Sequence, residues 1–135
     1  MPTLPWIQPN TPAPGAEAVV MASRLQVRSL RQVPGFFLAS MRLWRQARRS
    51  PGVWGVSLKA ELLRGTFWTL SAWSGKDALY DYARADPHKS EMRRLRDVTA
   101  ESTFVLWDVP VSDLPVGWEE ARRRIAAERE VTRPA

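Results

Sequence analysis

Two apolar runs in the middle of the chain, residues 53–63 and 66–73, are separated only by Arg64-Gly65. They are rich in Val, Trp, Phe and Thr, residues that suit a pleated, half-buried surface. A link this short that contains glycine reads as a β-hairpin. A hairpin at the centre constrains all that surrounds it, since its strands need neighbours and its apolar face needs a cover.

The flanks supply both. Residues 18–28 (AVVMASRLQVR) end in alternation, Leu25 and Val27 against Arg24, Gln26 and Arg28, which predicts a strand with one buried face. Residues 33–49 switch to helical spacing, with Phe37, Met41 and Trp44 in one stripe. Phe36, Ser40, Leu43 and Ala47 flank that stripe, while Arg42, Arg45, Gln46 and Arg49 cover the opposite side. Pro34 suits a first helical turn, and Ser50-Pro51-Gly52 stops the helix.

Beyond the hairpin, Ser74 and Asp77 have capping-box spacing and predict a helix whose inner side is Leu79, Tyr82 and Ala83. Asp86-Pro87 reads as an N-cap and first helical residue, so the helix restarts with His88, Met92 and Leu95 on one face. Residues 102–109 predict a fourth strand, and residues 118–128 a last helix, acidic at its start and arginine-rich after. The order β-α-β-β-α-β plus a C-terminal helix is that of an α+β, ferredoxin-like fold with helices on one face of an antiparallel sheet. The other sheet face carries large apolar residues with nothing evident to cover it, which predicts a homodimer with sheets face to face.

At 135 residues the chain holds one such domain. The division read is a proline-rich extended arm over 1–17, either anchored by Trp6 and Ile7 onto a surface or second subunit or a mobile tail, a domain over 18–130, and a tail over 131–135. Cysteine is absent and His88 is the one histidine, which excludes thiolate catalysis, cysteine-held metals and a multi-histidine metal site in one subunit. No membrane-spanning run and no secretory leader are visible, so the expected location is cytoplasmic. The net charge of +6 is concentrated early: residues 18–65 hold nine basic side chains and one acidic. No RNA-binding signature, zinc finger or recognition helix accompanies it, so nucleic acid is not the expected partner. The arginines of residues 42–49 read as a solvated helix side, or as a grip for a carboxylate or a contact with an anionic membrane surface.

His88 alone titrates near neutrality, making it the acid–base or axial-ligand candidate. At a helix start its pKa should fall, because the positive end of the dipole disfavours imidazolium. The alternative is a structural role beside Met92. Tyr82, inward on its helix, is the second catalytic candidate, as a hydrogen-bond donor. Trp44, Trp54, Trp68 and Trp73 read either as core or interface or as the walls of a large apolar pocket for a polycycle, a long apolar chain or a porphyrin.

Several segments resemble the dimeric α/β-barrel superfamily of antibiotic-biosynthesis monooxygenase-like proteins. They are Phe67-Trp-Thr-Leu-Ser-Ala-Trp73 running into a helix, Ala85-Asp-Pro-His88 with Met92 a turn later, and Leu114-Pro115 before Trp118-Glu-Glu-Ala-Arg122. Met41-Arg-Leu-Trp-Arg-Gln-Ala47 before Ser50-Pro-Gly52 is similar to the first-helix segment of spheroidene-monooxygenase-like members. The resemblance implies a monooxygenase-like enzyme of specialised metabolism on a dimeric barrel, either haem-dependent or cofactor-free. It equally admits a non-catalytic homodimer that binds haem or another apolar ligand. The haem-degrading members' Asn, Trp and His do not carry over: the helix positions fall on Tyr82 and Met92, and the one asparagine, Asn10, stands in the arm, so the Asn on which the cofactor-free, quinone-forming members rely is missing as well.

Overall fold

The computed structural model describes residues 3–132. The chain runs β1 (Thr3–Ile7), β2 (Glu17–Val27), α1 (Val33–Arg48), β3 (Val53–Glu61), β4 (Thr66–Trp73), α2 (Lys76–Arg84), α3 (His88–Leu95), β5 (Thr99–Pro110) and α4 (Trp118–Thr132). The sheet order is β1-β3-β4-β2-β5, and every pairing is antiparallel. From β2 to β5 this is the expected β-α-β-β-α-β order, so the fold is α+β and ferredoxin-like. Residues 1–2 of the arm and 133–135 of the tail lie outside the described residues.

The hairpin turns at Gly65, whose φ of +66° is open to glycine, and whose carbonyl accepts from Val27 N at 3.0 Å. The arm contributes a strand that periodicity did not predict. β1 pairs with β3 of its own chain, Leu4 opposite Leu58 and Ile7 opposite Val56, with a register shift between Leu4 and Ile7. A proline is tolerated there because β1 is an edge strand and Pro5 sits within the irregularity. Asn10 then pins the arm, its Nδ2 donating to Val53 O at 3.0 Å.

One sheet face is covered by α1, α2 and α3. Phe36, Val33 and Ala39 of α1 meet Leu25, Val27, Ala60 and Phe67, and a second group gathers Trp73, Val53, Val56, Leu79 and Tyr82. The buried line of α1 thus runs through Phe36, Ser40 and Ala47, with Phe37, Met41 and Trp44 half-buried beside it.

The second face corrects an expectation. It is not bare: Ala121 and Ile125 of α4, almost fully buried, pack on Ala18, Val20, Ala22, Leu70 and Ala72. Trp54, Trp68, Trp107 and Trp118 surround this patch half-buried. The small side chains Ala18, Ala22 and Ala72 let a helix of the same chain lie close, which the strand pattern alone did not reveal.

The helix starts also differ in detail. Ser74 makes no cap: Gly75 is the N-cap of α2, and Ser74 directly follows β4, its N–H donating to Gly52 O at 2.8 Å. Pro87, not Asp86, is the N-cap of α3, which makes His88 the first helical residue. Asp86 still serves that end, its Oδ1 accepting from Ser90 N at 3.1 Å and Ser90 Oγ at 2.6 Å. No helix among the described residues is long and apolar enough to cross a membrane.

Candidate functional site

The site forms where the break between α2 and α3 faces α1 and the sheet. Tyr82 in the last turn of α2 is buried, its ring stacked on Trp73 at 5.1 Å and tilted against His88 at 4.7 Å. These three rings form one row from the sheet outwards. Tyr82 O–H donates to Leu43 O at 3.1 Å, and burial holds its phenol far above the usual tyrosine pKa. It stays protonated and its proton is already given to the backbone. The expected role of Tyr82 as a donor to a ligand is therefore met by a competing carbonyl.

His88 is half-buried, and its Nδ1 lies 3.0 Å from Ala83 O. A carbonyl can only accept, so the bond places the proton on Nδ1 and leaves Nε2 with its lone pair. Burial lowers the imidazole pKa below 6.5, and the Ala83 bond offsets part of that fall. The neutral form is favoured as expected, but the larger cause is desolvation.

His88 joins two spaces. Inward lies a cavity of about 70 Å³ between α1 and the sheet, lined by Met21, Trp44, Ala47, Leu58 and Tyr82 among others. Outward a groove of about 570 Å³ runs between α3 and β5, and Leu25, His88 and Met92 border both. The inner cavity is mostly apolar, with a hydroxyl pair, Ser23 Oγ and Thr69 Oγ1, 2.5 Å apart on its sheet wall. Trp44 Nε1 is buried without a hydrogen-bond partner among the described residues, while Arg48 stacks over the ring at 4.9 Å.

The expected tryptophan wall divides. Trp44 lines the inner cavity; Trp73 stands behind Tyr82, fully buried, with Nε1 donating to Ser71 Oγ at 2.8 Å. Trp54 and Trp68 belong to the α4 face and line neither space. Trp68 is held there by Glu61, which accepts from its Nε1 at 2.6 Å, and by Arg24 and Arg122 stacked at 5.6 and 5.4 Å. Strand alternation put them on the α4 face, away from α1, α2 and α3.

The expected single large pocket is corrected too. Drug-sized ligands occupy roughly 300–1,000 Å³, and the inner cavity falls well short of that. A porphyrin does not fit it, and the groove is apolar only along Leu25, Phe36, Met92 and Leu95, its β5 side being Thr99, Ala100, Glu101 and Ser102. The residues present do not fit haem. Among the described residues no cluster of three His, Asp or Glu side chains is placed to hold a metal.

Sequence reasoning missed Gln46, assigned to the solvated side of α1. Its Oε1 accepts from His88 N at 2.7 Å, and its Nε2 donates to Tyr82 O at 3.0 Å and Ala85 O at 3.4 Å. It also missed that Arg42 faces α3, pairing with the buried Glu91 at 3.2 Å.

A family model described as a domain of unknown function, DUF3291, matches residues 24–131. No curated protein matches the sequence. Solved structures with this fold include an antibiotic biosynthesis monooxygenase, 14% identical, with TM-score 0.62 over 67% of this chain and 97% of that one. A variant of SnoaB, a cofactor-independent oxygenase from Streptomyces nogalater, is 19% identical with TM-score 0.58 over 73% of this chain and 98% of its own. A conserved protein from Methanosarcina mazei Go1 is 18% identical with TM-score 0.60 over 67% and 90%. The resemblance to antibiotic-biosynthesis monooxygenase-like proteins is thus borne out in the fold.

Proposed function

The chain belongs to the DUF3291 family, a domain of unknown function, and on that footing we propose that it is a cofactor-free, monooxygenase-like enzyme acting on an apolar or aromatic small molecule. The observation that carries this reading is His88 at the junction of cavity and groove, neutral, with Nε2 free to accept a proton. The groove takes the body of the substrate, and its reacting edge meets His88. Met92 and Leu25 exclude water at that junction, and the inner cavity is large enough for dioxygen.

In this reading His88 Nε2 takes a proton from an activated methylene beside a phenolic ring. The resulting anion is the reductant for dioxygen: the CH2 becomes C=O, one oxygen atom enters the substrate and the other leaves as water with the two hydrogens. No external reductant is needed. The unpartnered Trp44 N–H and the Ser23–Thr69 hydroxyls are the donors available to developing negative charge. The SnoaB structure supports the reading through its fold and its description as a cofactor-independent oxygenase.

The test is oxygen uptake with a panel of hydroxylated tricyclic substrates that carry such a methylene. Turnover should fall by about 10²–10⁴-fold in His88→Ala, with folding intact. Uptake equal in both proteins, or absent across the panel, would sink the catalytic reading and favour a binding protein.

We also propose a homodimer, supported by Phe104 and Leu106, 45% and 41% exposed on the free edge strand β5. Sedimentation equilibrium at the mass of one chain would exclude it.

A further inference from the structure

The outer groove has a charge pattern that proton transfer at His88 does not use. Lys89 and Arg93 stand one turn apart on α3, and Arg96 opens the 3-10 turn after it, so all three border the groove. Among the described residues none of the three is in an ion pair, unlike their neighbours. Glu91 is taken by Arg94 at 2.6 Å and Arg42 at 3.2 Å. Glu101, the acidic residue of the groove, is held by Arg129 at 2.9 Å and reached by Arg24 at 3.9 Å. Asp86, near Lys89 and Arg93, is hydrogen-bonded by Ser90. Three cations therefore border a groove whose one carboxylate, Glu101, is already paired, while exposed Asp86 outside the groove attracts Lys89 and Arg93 without an ion pair to either. Between them and His88 the wall is apolar: Leu25, Phe36, Met92 and Leu95.

We propose that this groove binds an amphipathic anion, an aromatic or extended apolar body bearing one carboxylate. The body lies against Leu25, Phe36 and Met92, with the carboxylate at Arg93, Arg96 and Lys89. The inference rests on the reading that the groove receives the substrate, and it names the substrate's class. A planar carboxylate suits the guanidinium fork. The groove has none of the glycine-rich backbone that cradles a phosphate, and its apolar wall would be wasted on a small inorganic ion.

The experiment is a calorimetric titration of the full chain with 2-naphthoate, 2-naphthamide and inorganic phosphate. Naphthoate should bind about tenfold more tightly than the neutral amide, the sum of several weak exposed charge pairs. That preference should shrink as salt is raised. Arg93→Gln and Arg96→Gln should each cut it by about half or more without changing amide affinity, while Lys76→Gln, outside the groove, leaves it intact. Equal affinity for acid and amide overturns the inference and leaves the preceding reading standing. Phosphate bound as tightly as naphthoate overturns it as well, since the apolar wall would then contribute nothing. If neither naphthalene binds, this inference and the groove as a substrate site fall together, whatever the oxygen-uptake test gives.

Discussion

The backbone N–H of His88 donates to the side-chain Oε1 of Gln46 at 2.7 Å, across 42 residues of sequence. In effect α1 caps α3: Pro87 has no side-chain acceptor for that N–H, and Gln46 supplies one. The same amide donates to Tyr82 O at 3.0 Å, so one side chain holds both sides of the helix break. Gln46→Ala leaves these groups unpaired in a partly buried place, and should cost about 1–3 kcal/mol. Thermal unfolding checks the cost, and the variant should shift the His88 imidazole resonances as the ring loses its anchor.

His88 is the one imidazole in the chain, so its proton resonances need no assignment. Burial lowers its pKa, and the titration midpoint should lie below 6.5, with nitrogen shifts of an Nδ1–H tautomer. The unfolded chain then takes up the proton more readily than the folded one. Stability is therefore full above pH 6.5 and declines as pH falls towards the folded value. His88→Asn should flatten that part of the stability curve. A midpoint above 6.5 would mean that an unseen carboxylate, not burial, governs the ring.

How much of this was legible depended on how local each signal is. Alternation at Leu25 and Val27, the Gly65 turn and the Phe36–Ala47 helix are short-range patterns, and all were readable. The order of elements then fixed the sheet order through the hairpin. His88 and Tyr82 were found as candidates because few other side chains titrate or donate from an inner helix face. β1 was not read as a strand, since the prolines that make it an edge strand also erase strand alternation. Gln46 was missed because its partners are main-chain atoms of another helix, which leave no pattern in side-chain polarity. For Trp54 and Trp68 the choice between core and pocket wall stayed open in the sequence for a different reason: aromatic content shows that a residue is buried, but only the register shows against which face.

Gly55 of β3 shows why the arm docks where it does. A Cβ on Gly55 would come within 1.8 Å of the Trp6 ring, which makes contact on backbone where another residue would carry a side chain. Gly55→Ala should expel Trp6 and cost about 1–3 kcal/mol, with a red-shifted tryptophan emission. Trp6→Ala should cost a similar amount, and combining the two should add little, because both break the same contact. Full additivity in the double variant would show that Gly55 acts apart from Trp6.

Glu91 of α3 is paired with two half-exposed arginines, Arg42 across on α1 and Arg94 one turn on in its own helix. Burial alone would raise its carboxyl pKa, but Arg94 and then Arg42 reverse that and hold it below 4.5. A lowered carboxyl stabilises the fold above the ordinary carboxylate range and loses that contribution as pH falls through the folded value. Glu91→Gln should cost about 1 kcal/mol at neutral pH and nothing in strong acid. Denaturant unfolding at both pH values separates this from a pH-independent packing loss.

Titration with haemin divides the cofactor-free reading from the binding-protein alternative. Saturable binding through His88 would need Nε2 to reach an iron held between two apolar walls. The inner cavity of about 70 Å³ cannot admit the macrocycle, and the groove of about 570 Å³ is apolar only on the side away from β5. The expected spectrum is a broad Soret band that grows without saturating, identical in wild type and His88→Ala. Arg93→Gln should weaken even this loose association, because the propionates are carboxylates on an apolar body. A sharp band saturating at one haem per chain and lost in His88→Ala would show that α3 and β5 move apart to form the missing wall. The function would then be sought in haem binding, with His88 as ligand and not as base.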